Sequence, residues 1–164
     1  MKIIVDDLRS PEIAALLETH LDLMRSISPP ESVHALDLDS LRVPEVTFWT
    51  AWEEDELLGC GALKQLPDSG GSGGSDGGAS EGEIKSMHTA KAARGKGIAA
   101  KLLANLESHA RELGLARLSL ETGTQKEFAP ARNLYAKFGY NECPPFGDYE
   151  EDPHSTFMTK ALTA

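Results

Sequence analysis

The chain is poor in cysteine and has no long apolar run. Its two cysteines, Cys60 and Cys143, do not stand at a spacing that metal sites use. Without a run of about 18 apolar residues, no transmembrane helix is expected. The first residues turn acidic at Asp6, too early for a signal peptide. We therefore expect a cytoplasmic protein with reduced thiols, no bound metal and no membrane partner.

Basic residues are scarce in the first third of the chain. Residues 1–56 carry 13 acidic and 4 basic side chains, a net charge of −9, whereas residues 57–164 carry a net charge of −1. Nucleic acid requires a basic face, so it is not an expected partner. The acidity allows two interpretations. It either keeps the surface soluble or lines a site for a cationic substrate.

Strands and helices alternate along one predicted domain, residues 1–164, in the manner of α/β layering with a mixed sheet. Ser10 and Pro11 mark a helix start. A Gly/Ser tract at 67–80 is predicted to be a flexible loop between two strands. Strands are predicted at 2–6, 46–53, 57–66, 83–89, 116–121, 140–143 and 155–161. Helices are predicted at 11–26, 33–41, 98–113 and 126–138.

A glycine-rich turn lies between the predicted strand 83–89 and the amphipathic helix after it. Glycine lets the backbone approach a ligand, and the first turn of a helix offers unpaired N–H groups and a positive dipole end. Residues 85–101 hold five basic side chains and no acidic one. The turn therefore indicates an anion site, although a solvated helix start is the plainer alternative. It is neither a Walker A loop nor a dinucleotide fingerprint.

Two motifs in order resemble the signatures of the GNAT superfamily of acyl-CoA N-acyltransferases, in particular a subgroup of small bacterial acetyltransferases. The first, [Q/R]-x-x-G-x-[G/A], reads Arg94-Gly95-Lys96-Gly97-Ile98-Ala99. The second, Ala-x-x-Leu-Tyr-x-x-x-Gly-[FY], reads Ala131-Arg132-Asn133-Leu134-Tyr135-Ala136-Lys137-Phe138-Gly139-Tyr140. The resemblance implies an α/β fold with a twisted, mixed sheet of six to seven strands and helices on both faces. Strands four and five would splay apart to admit the pantetheine arm of acetyl-CoA.

The same resemblance implies a set of cofactor-binding residues. The backbone around Met87 and Thr89 would pair with the pantetheine arm, and Asn133 would contact the arm beyond the sheet. The amides of the turn would hold the pyrophosphate. The full set is Met87, His88, Thr89, Arg94, Gly95, Lys96, Gly97, Ile98, Ala99 and Asn133.

The implied chemistry is direct transfer of an acetyl group from a thioester to an amine. The leaving thiolate benefits from an acid, and Tyr135 stands at the position of the family's tyrosine, although it also suits core packing. Glu83 and Glu121 are the candidate bases for the amine proton, and each is otherwise a solvated strand-edge carboxylate. His88 is a candidate proton relay. No His/Asp spacing supports a covalent intermediate on cysteine.

The acceptor is predicted from acidic segments at 28–41 and 144–153, which correspond to the acceptor-binding parts of the family. They favour a cationic small-molecule amine, with a protein lysine or N-terminus as the alternative. A non-catalytic module that binds acyl-CoA and an unrelated nucleotide-binding α/β domain are two other interpretations. A homodimer is common in the family and is a further expectation.

Overall fold

The computed structural model describes residues 1–29, 38–66, 81–147 and 149–162. The strands in these ranges are β1 (Lys2–Val5), β2 (Val46–Glu53), β3 (Glu56–Gln65), β4 (Glu81–Thr89), β5 (Arg117–Gly123), β6 (Asn141–Glu142) and β7 (Ser155–Ala161). The α-helices are α1 (Pro11–Ile27), α2 (Leu38–Leu41), α3 (Ile98–Glu112) and α4 (Ala129–Lys137). The strands form one open mixed sheet in the order β1-β2-β3-β4-β5-β7-β6. The predicted α/β fold is confirmed.

The start of α1 follows from its local sequence. Ser10 Oγ accepts a hydrogen bond from the Ile13 backbone N–H at 3.3 Å, and Pro11 occupies the first turn, where its missing N–H costs nothing. Of the second helix predicted at 33–41, the structure describes only Leu38–Leu41 as helical, and residues 33–37 lie outside the described residues. The Gly/Ser tract at 67–80 also lies outside them.

Several predicted boundaries differ from the structure by one to three residues. Strand β4 begins at Glu81 rather than at residue 83, because the Gly/Ser tract that precedes it obscures the strand pattern in the sequence. The helix predicted at 126–138 is a 3-10 turn, Lys126–Phe128, followed by α4. Pro130 lies in the first turn of α4, which is the place a helix tolerates a proline. Helix α3 ends at Glu112 rather than at the predicted residue 113, and Leu113 is 41% exposed.

The sheet carries a hydrophobic cluster on each face. Helices α3 and α4 contribute to the larger cluster, whose fully buried members include Leu102, Leu106 and Leu118. Helix α1 packs on the opposite face, where Ile13 and Leu17 meet inward-facing side chains of β2 and β3. Burying these side chains stabilises the fold by about 25 cal/mol for each Å² of apolar surface removed from water.

The strands β4 and β5 are paired over only part of their length. They run parallel, and the register joins Glu81–Ile84 of β4 to Arg117–Leu120 of β5. Beyond that point β4 continues beside β3, and β5 continues beside β7 as far as Gly123. The two strands, which the structure describes in full, therefore diverge after Ile84. The predicted splay is confirmed, and it opens a wedge in the middle of the sheet.

Candidate active site

A cleft of about 100 Å³ lies where β4 and β5 diverge. Four predicted site residues line it: Glu83, Met87, Glu121 and Tyr135. The sequence analysis did not place five further lining residues there: His20, Met24, Lys85, Ser86 and Tyr149. Helix α1, both diverging strands, helix α4 and the segment before β7 therefore all contribute side chains to one cleft.

A β-bulge bends β4 at the edge of this cleft. Lys85 pairs with Ala62 and His88 pairs with Cys60, so β4 holds one residue more than β3 between these pairs. Ser86 adopts a left-handed conformation (φ 56°), which is uncommon for a residue with a side chain. Its Oγ is buried and has no hydrogen-bond partner among the described residues. Such backbone strain tends to persist at ligand sites.

Strand β3 approaches the bulge closely because it carries glycine there. A Cβ at Gly59 would lie 2.8 Å from the backbone oxygen of His88, and a Cβ at Gly61 would lie 2.5 Å from the sulfur of Met87. A side chain at Gly59 would displace the backbone of β4, and one at Gly61 would displace the Met87 side chain. The glycines therefore help to set the path of the strand that borders the cleft.

The turn between β4 and α3 has the geometry of an anion site. Gly95 and Gly97 both have positive φ, 80° and 77°, and Gly97 caps α3 without a side-chain hydrogen bond. The first backbone N–H groups of α3 are therefore left for a ligand. Residues 94–97 are exposed. Within the described ranges, neither Arg94 nor Lys96 forms an ion pair, so both cations are available to phosphates.

Tyr135 combines the two roles that its sequence allows. It belongs to the main hydrophobic cluster, and its ring lies 5.8 Å from the ring of Tyr140. It also lines the cleft, and its hydroxyl makes no hydrogen bond to the part of the chain that the structure describes. Burial raises the pKa of Tyr135 above its ordinary value, which keeps the phenol protonated at neutral pH.

Glu83 is the centre of a buried polar network on the other face of β4. Its Oε2 accepts hydrogen bonds from Tyr149 Oη at 2.5 Å and from Lys85 Nζ at 3.1 Å. Lys85 Nζ also donates to Tyr149 Oη at 2.9 Å. Burial, reinforced by the Glu83 carboxylate, raises the pKa of Tyr149, so this phenol is a donor. No described group donates a hydrogen bond to Oε1 of Glu83, so this oxygen can meet a substrate.

A group of aromatic side chains packs against Tyr149. Its ring lies 5.2 Å from the ring of Phe146 and 5.4 Å from that of Phe157 on β7. Phe157 pairs with Glu121 across β5 and β7, so the group stands next to the second candidate carboxylate. The sequence analysis placed the segment 144–153 at the acceptor site but did not identify Tyr149, because its partners are more than 60 residues away.

His88 lies behind the cleft and not on its lining. It contacts His20 of α1, with 3.1 Å between the two Nδ1 atoms. The pKa of both imidazoles is lowered from 6.5 to about 4, by burial in His20 and by burial together with the nearby His20 and Arg94 in His88. Both rings are therefore neutral at pH 7.

The remaining predicted cofactor residues lie outside the cleft lining. Thr89 ends β4 and pairs with Gly59, and Asn133 lies on the exposed side of α4. Among the described residues, no cluster of three or more His, Cys, Asp or Glu side chains is suited to a metal ion. No described helix is long and apolar enough to span a membrane.

Known proteins share both the sequence and the fold of this chain. Residues 13–140 match the model of the acetyltransferase (GNAT) family. The uncharacterized N-acetyltransferase YsnE of Bacillus subtilis (strain 168) is 49% identical over 99% of this chain and 100% of its own length. The IAA acetyltransferase of Azospirillum brasilense is 37% identical over 92% of this chain and 90% of its own length.

A solved structure extends the likeness to three dimensions. The structure of a Klebsiella pneumoniae protein assigned as an acyl-CoA N-acyltransferase superimposes with a TM-score of 0.74 and 29% identity. The match covers 99% of this chain and 97% of that chain. The two proteins therefore share a fold over nearly their whole length.

Proposed function

Because the chain belongs to the GNAT family of acetyltransferases and is an acyl-CoA-dependent N-acetyltransferase, we propose that it transfers the acetyl group of acetyl-CoA to a primary amine on a cationic small molecule. The observation that carries this proposal is the wedge between β4 and β5, with the anion-binding turn at the end of β4. A thioester held there would lie between two sets of polar side chains, one on each face of the sheet.

The donor occupies the wedge in this proposal. The pantetheine arm lies along β4 after Ile84, where the strand has no partner in β5 and its backbone groups can pair with an extended ligand. The pyrophosphate lies on the N–H groups of residues 94–99, with Arg94 and Lys96 near the outer phosphates. Gly95 and Gly97 have no Cβ atoms, so no side chain obstructs this approach, and both adopt the left-handed conformation that glycine favours.

The thioester then lies beside the bulge of β4. Backbone N–H groups of the bulge are suited to stabilise the developing oxyanion, because the fold fixes them before the reaction begins. Tyr135 donates its proton to the leaving thiolate, since it lines the cleft, stays protonated at neutral pH because burial raises its pKa, and forms no hydrogen bond with the described residues.

The acceptor enters from the face that carries Glu83 and Glu121. These two carboxylates and one cation, Lys85, line the cleft, so it favours a positively charged amine. The sequence predicts Glu83 or Glu121 as the base for the amine proton, and Oε1 of Glu83 is free to contact the amine. Tyr149 and the aromatic group behind it form a wall suited to the apolar part of the acceptor.

The proposal is tested by following thiol release from acetyl-CoA with a panel of amines that includes diamines, amino acids and lysine-containing peptides. The IAA named for the Azospirillum brasilense relative is added as an anionic comparison. Turnover of cationic small amines supports the proposal. Turnover restricted to anionic or neutral acceptors contradicts the charge argument. Binding of acetyl-CoA without any turnover would indicate a non-catalytic module, and calorimetry against ATP and NAD tests donor choice.

Tyr135→Phe tests the acid, with Tyr140→Phe as the matched control. Both substitutions remove one buried phenol hydroxyl, but only Tyr135 lines the cleft. We expect kcat to fall about 100-fold in Tyr135→Phe and to change little in Tyr140→Phe. Equal kcat in the two variants contradicts the role of Tyr135.

A further inference from the structure

Two histidines from distant parts of the chain form a direct hydrogen bond behind the cleft. His20 lies on α1 and His88 on β4, and their Nδ1 atoms are 3.1 Å apart. Their ring centroids are 4.7 Å apart with an angle of 55° between the planes. A hydrogen bond between two imidazole nitrogens requires a proton on one and a lone pair on the other. The two rings are therefore in opposite tautomers.

Opposite tautomers give the pair a direction. The ring that donates from Nδ1 has a lone pair on Nε2, and the ring that accepts at Nδ1 carries its proton on Nε2. The pair therefore accepts a proton at one outer nitrogen and releases a different proton at the other. Neither ring has to hold a charge after the transfer is complete.

The position of the pair fits a route out of the cleft. His20 lines the cleft together with Glu83 and Tyr135, whereas His88 follows the bulge of β4 and is 9% exposed. The charge of Arg94 acts on His88 from the turn, and the charged side chains that line the cleft with His20 are Glu83, Lys85 and Glu121. Glu83 is already bound by two donors. Two histidine rings that stay neutral in this place are suited to transfer a proton rather than to hold one.

We propose, on the premise of the acetyl transfer above, that the His20–His88 pair carries away the proton that the acceptor ammonium loses before it attacks. His20 Nε2 takes the proton, and the electron pair of the broken N–H bond stays on the amine nitrogen. His20 Nδ1 passes its own proton to His88 Nδ1, and His88 Nε2 releases a proton to water. The net change is one proton moved from ammonium to water, after which exchange with water restores the tautomers.

The variants His20→Asn and His88→Asn test this relay. An asparagine amide can replace imidazole Nδ1 as a hydrogen-bond partner, but it has no second ring nitrogen to pass a proton on. His109→Asn is the matched control, because His109 lies on α3 against Trp49 and outside the cleft lining. Thermal unfolding and acetyl-CoA binding are measured on every variant, so that a folding defect is recognised.

The readout is kcat with two acceptors, one amine with a pKa well above the assay pH and one with a pKa below it. The strongly basic amine must lose a proton before attack, whereas the weakly basic amine arrives neutral. We expect each Asn variant to lose about 100-fold in kcat with the first amine and only a few-fold with the second, with the KM for acetyl-CoA unchanged. A merely structural role would lower both rates alike.

Two results would overturn the relay. The first is wild-type kcat in His20→Asn with the strongly basic amine, which would return the proton to Glu83 or Glu121 and leave the proposed acetyl transfer standing. The second is a ¹⁵N spectrum at pH 7 in which both imidazoles carry the same tautomer or a positive charge. A wild-type protein that acetylates no amine of the panel would overturn the proposed function and the relay with it.

Discussion

Mild acid should destabilise this protein because His20 and His88 are neutral in its folded state. Burial lowers the pKa of each imidazole from 6.5 to about 4. Between these pH values the unfolded chain binds protons that the folded chain does not. The free energy of unfolding therefore falls as the pH drops from about 6.5 towards 4. Above pH 6.5 both states are neutral and the contribution of the pair is constant.

The two pKa values set the size of the effect. At pH 5 the linkage relation gives about 2 kcal/mol for one imidazole and about 4 kcal/mol for the pair. A domain of this kind has a total stability of about 5–15 kcal/mol. Between pH 7 and pH 5 the two histidines therefore remove an amount that is a large fraction of the total stability.

Urea unfolding from pH 8 to pH 5 measures this loss. The unchanged protein is compared with the His20→Asn/His88→Asn double variant, and His109→Asn serves as the control. The free energies of the unchanged protein and the double variant should converge by about 4 kcal/mol over this range. For an m-value of about 2 kcal/mol per M, the midpoints converge by about 2 M. A difference that stays constant from pH 8 to pH 5 would refute the reasoning.

Three substitutions test other parts of the structure. Gly59→Ala places a Cβ 2.8 Å from the His88 carbonyl oxygen, so we expect weaker acetyl-CoA binding by calorimetry and a stability loss of about 1–3 kcal/mol; unchanged affinity would contradict this. Lys160→Met removes the two hydrogen bonds to buried Glu107 and leaves Arg111, 3.8 Å away, as its remaining described ion-pair partner, so it should cost about 1.5–3 kcal/mol in urea unfolding, largely recovered by adding Glu107→Leu. Gly97→Ala meets no nearby atom, so only its left-handed backbone is strained, and a loss beyond about 1–2 kcal/mol in thermal unfolding would count against this account.

The fold follows from local signals in much of the chain. Ser10 and Pro11 mark the start of α1, and the apolar spacing after Gly97 predicts α3, since both depend on neighbouring residues. The period-2 pattern of β4 is imperfect because the bulge shifts Ser86 and reverses the side-chain alternation after it. The break in the period-2 pattern of β4 therefore marks the position of the bulge. A search for regular alternation alone does not identify it.

The site is less accessible to sequence reasoning because its partners are far apart in the chain. The motifs predict positions for Tyr135 and the turn 94–99 because each motif lies on a single strand–helix or helix unit; in the structure Tyr135 lines the cleft and the turn follows β4. The His20–His88 contact joins residues 68 positions apart, and the Lys85–Tyr149 contact joins residues 64 positions apart. Only the strand order and the packing of α1 on the sheet bring such pairs together.

The short pairing of β4 with β5 has a consequence for how the molecule assembles. Among the described strands, a pairing of four residues on each side joins a first half of the sheet, β1 to β4, to a second half, β5 to β7. The pairing is parallel and connects distant parts of the chain. Because closing the loop between its strands costs entropy, we expect this pairing to form late in folding. A ligand lying in the wedge would span both halves. Amide exchange at residues 81–84 and 117–120 should therefore slow when acetyl-CoA binds. The bound substrate would take the place of a strand between the two halves of the sheet.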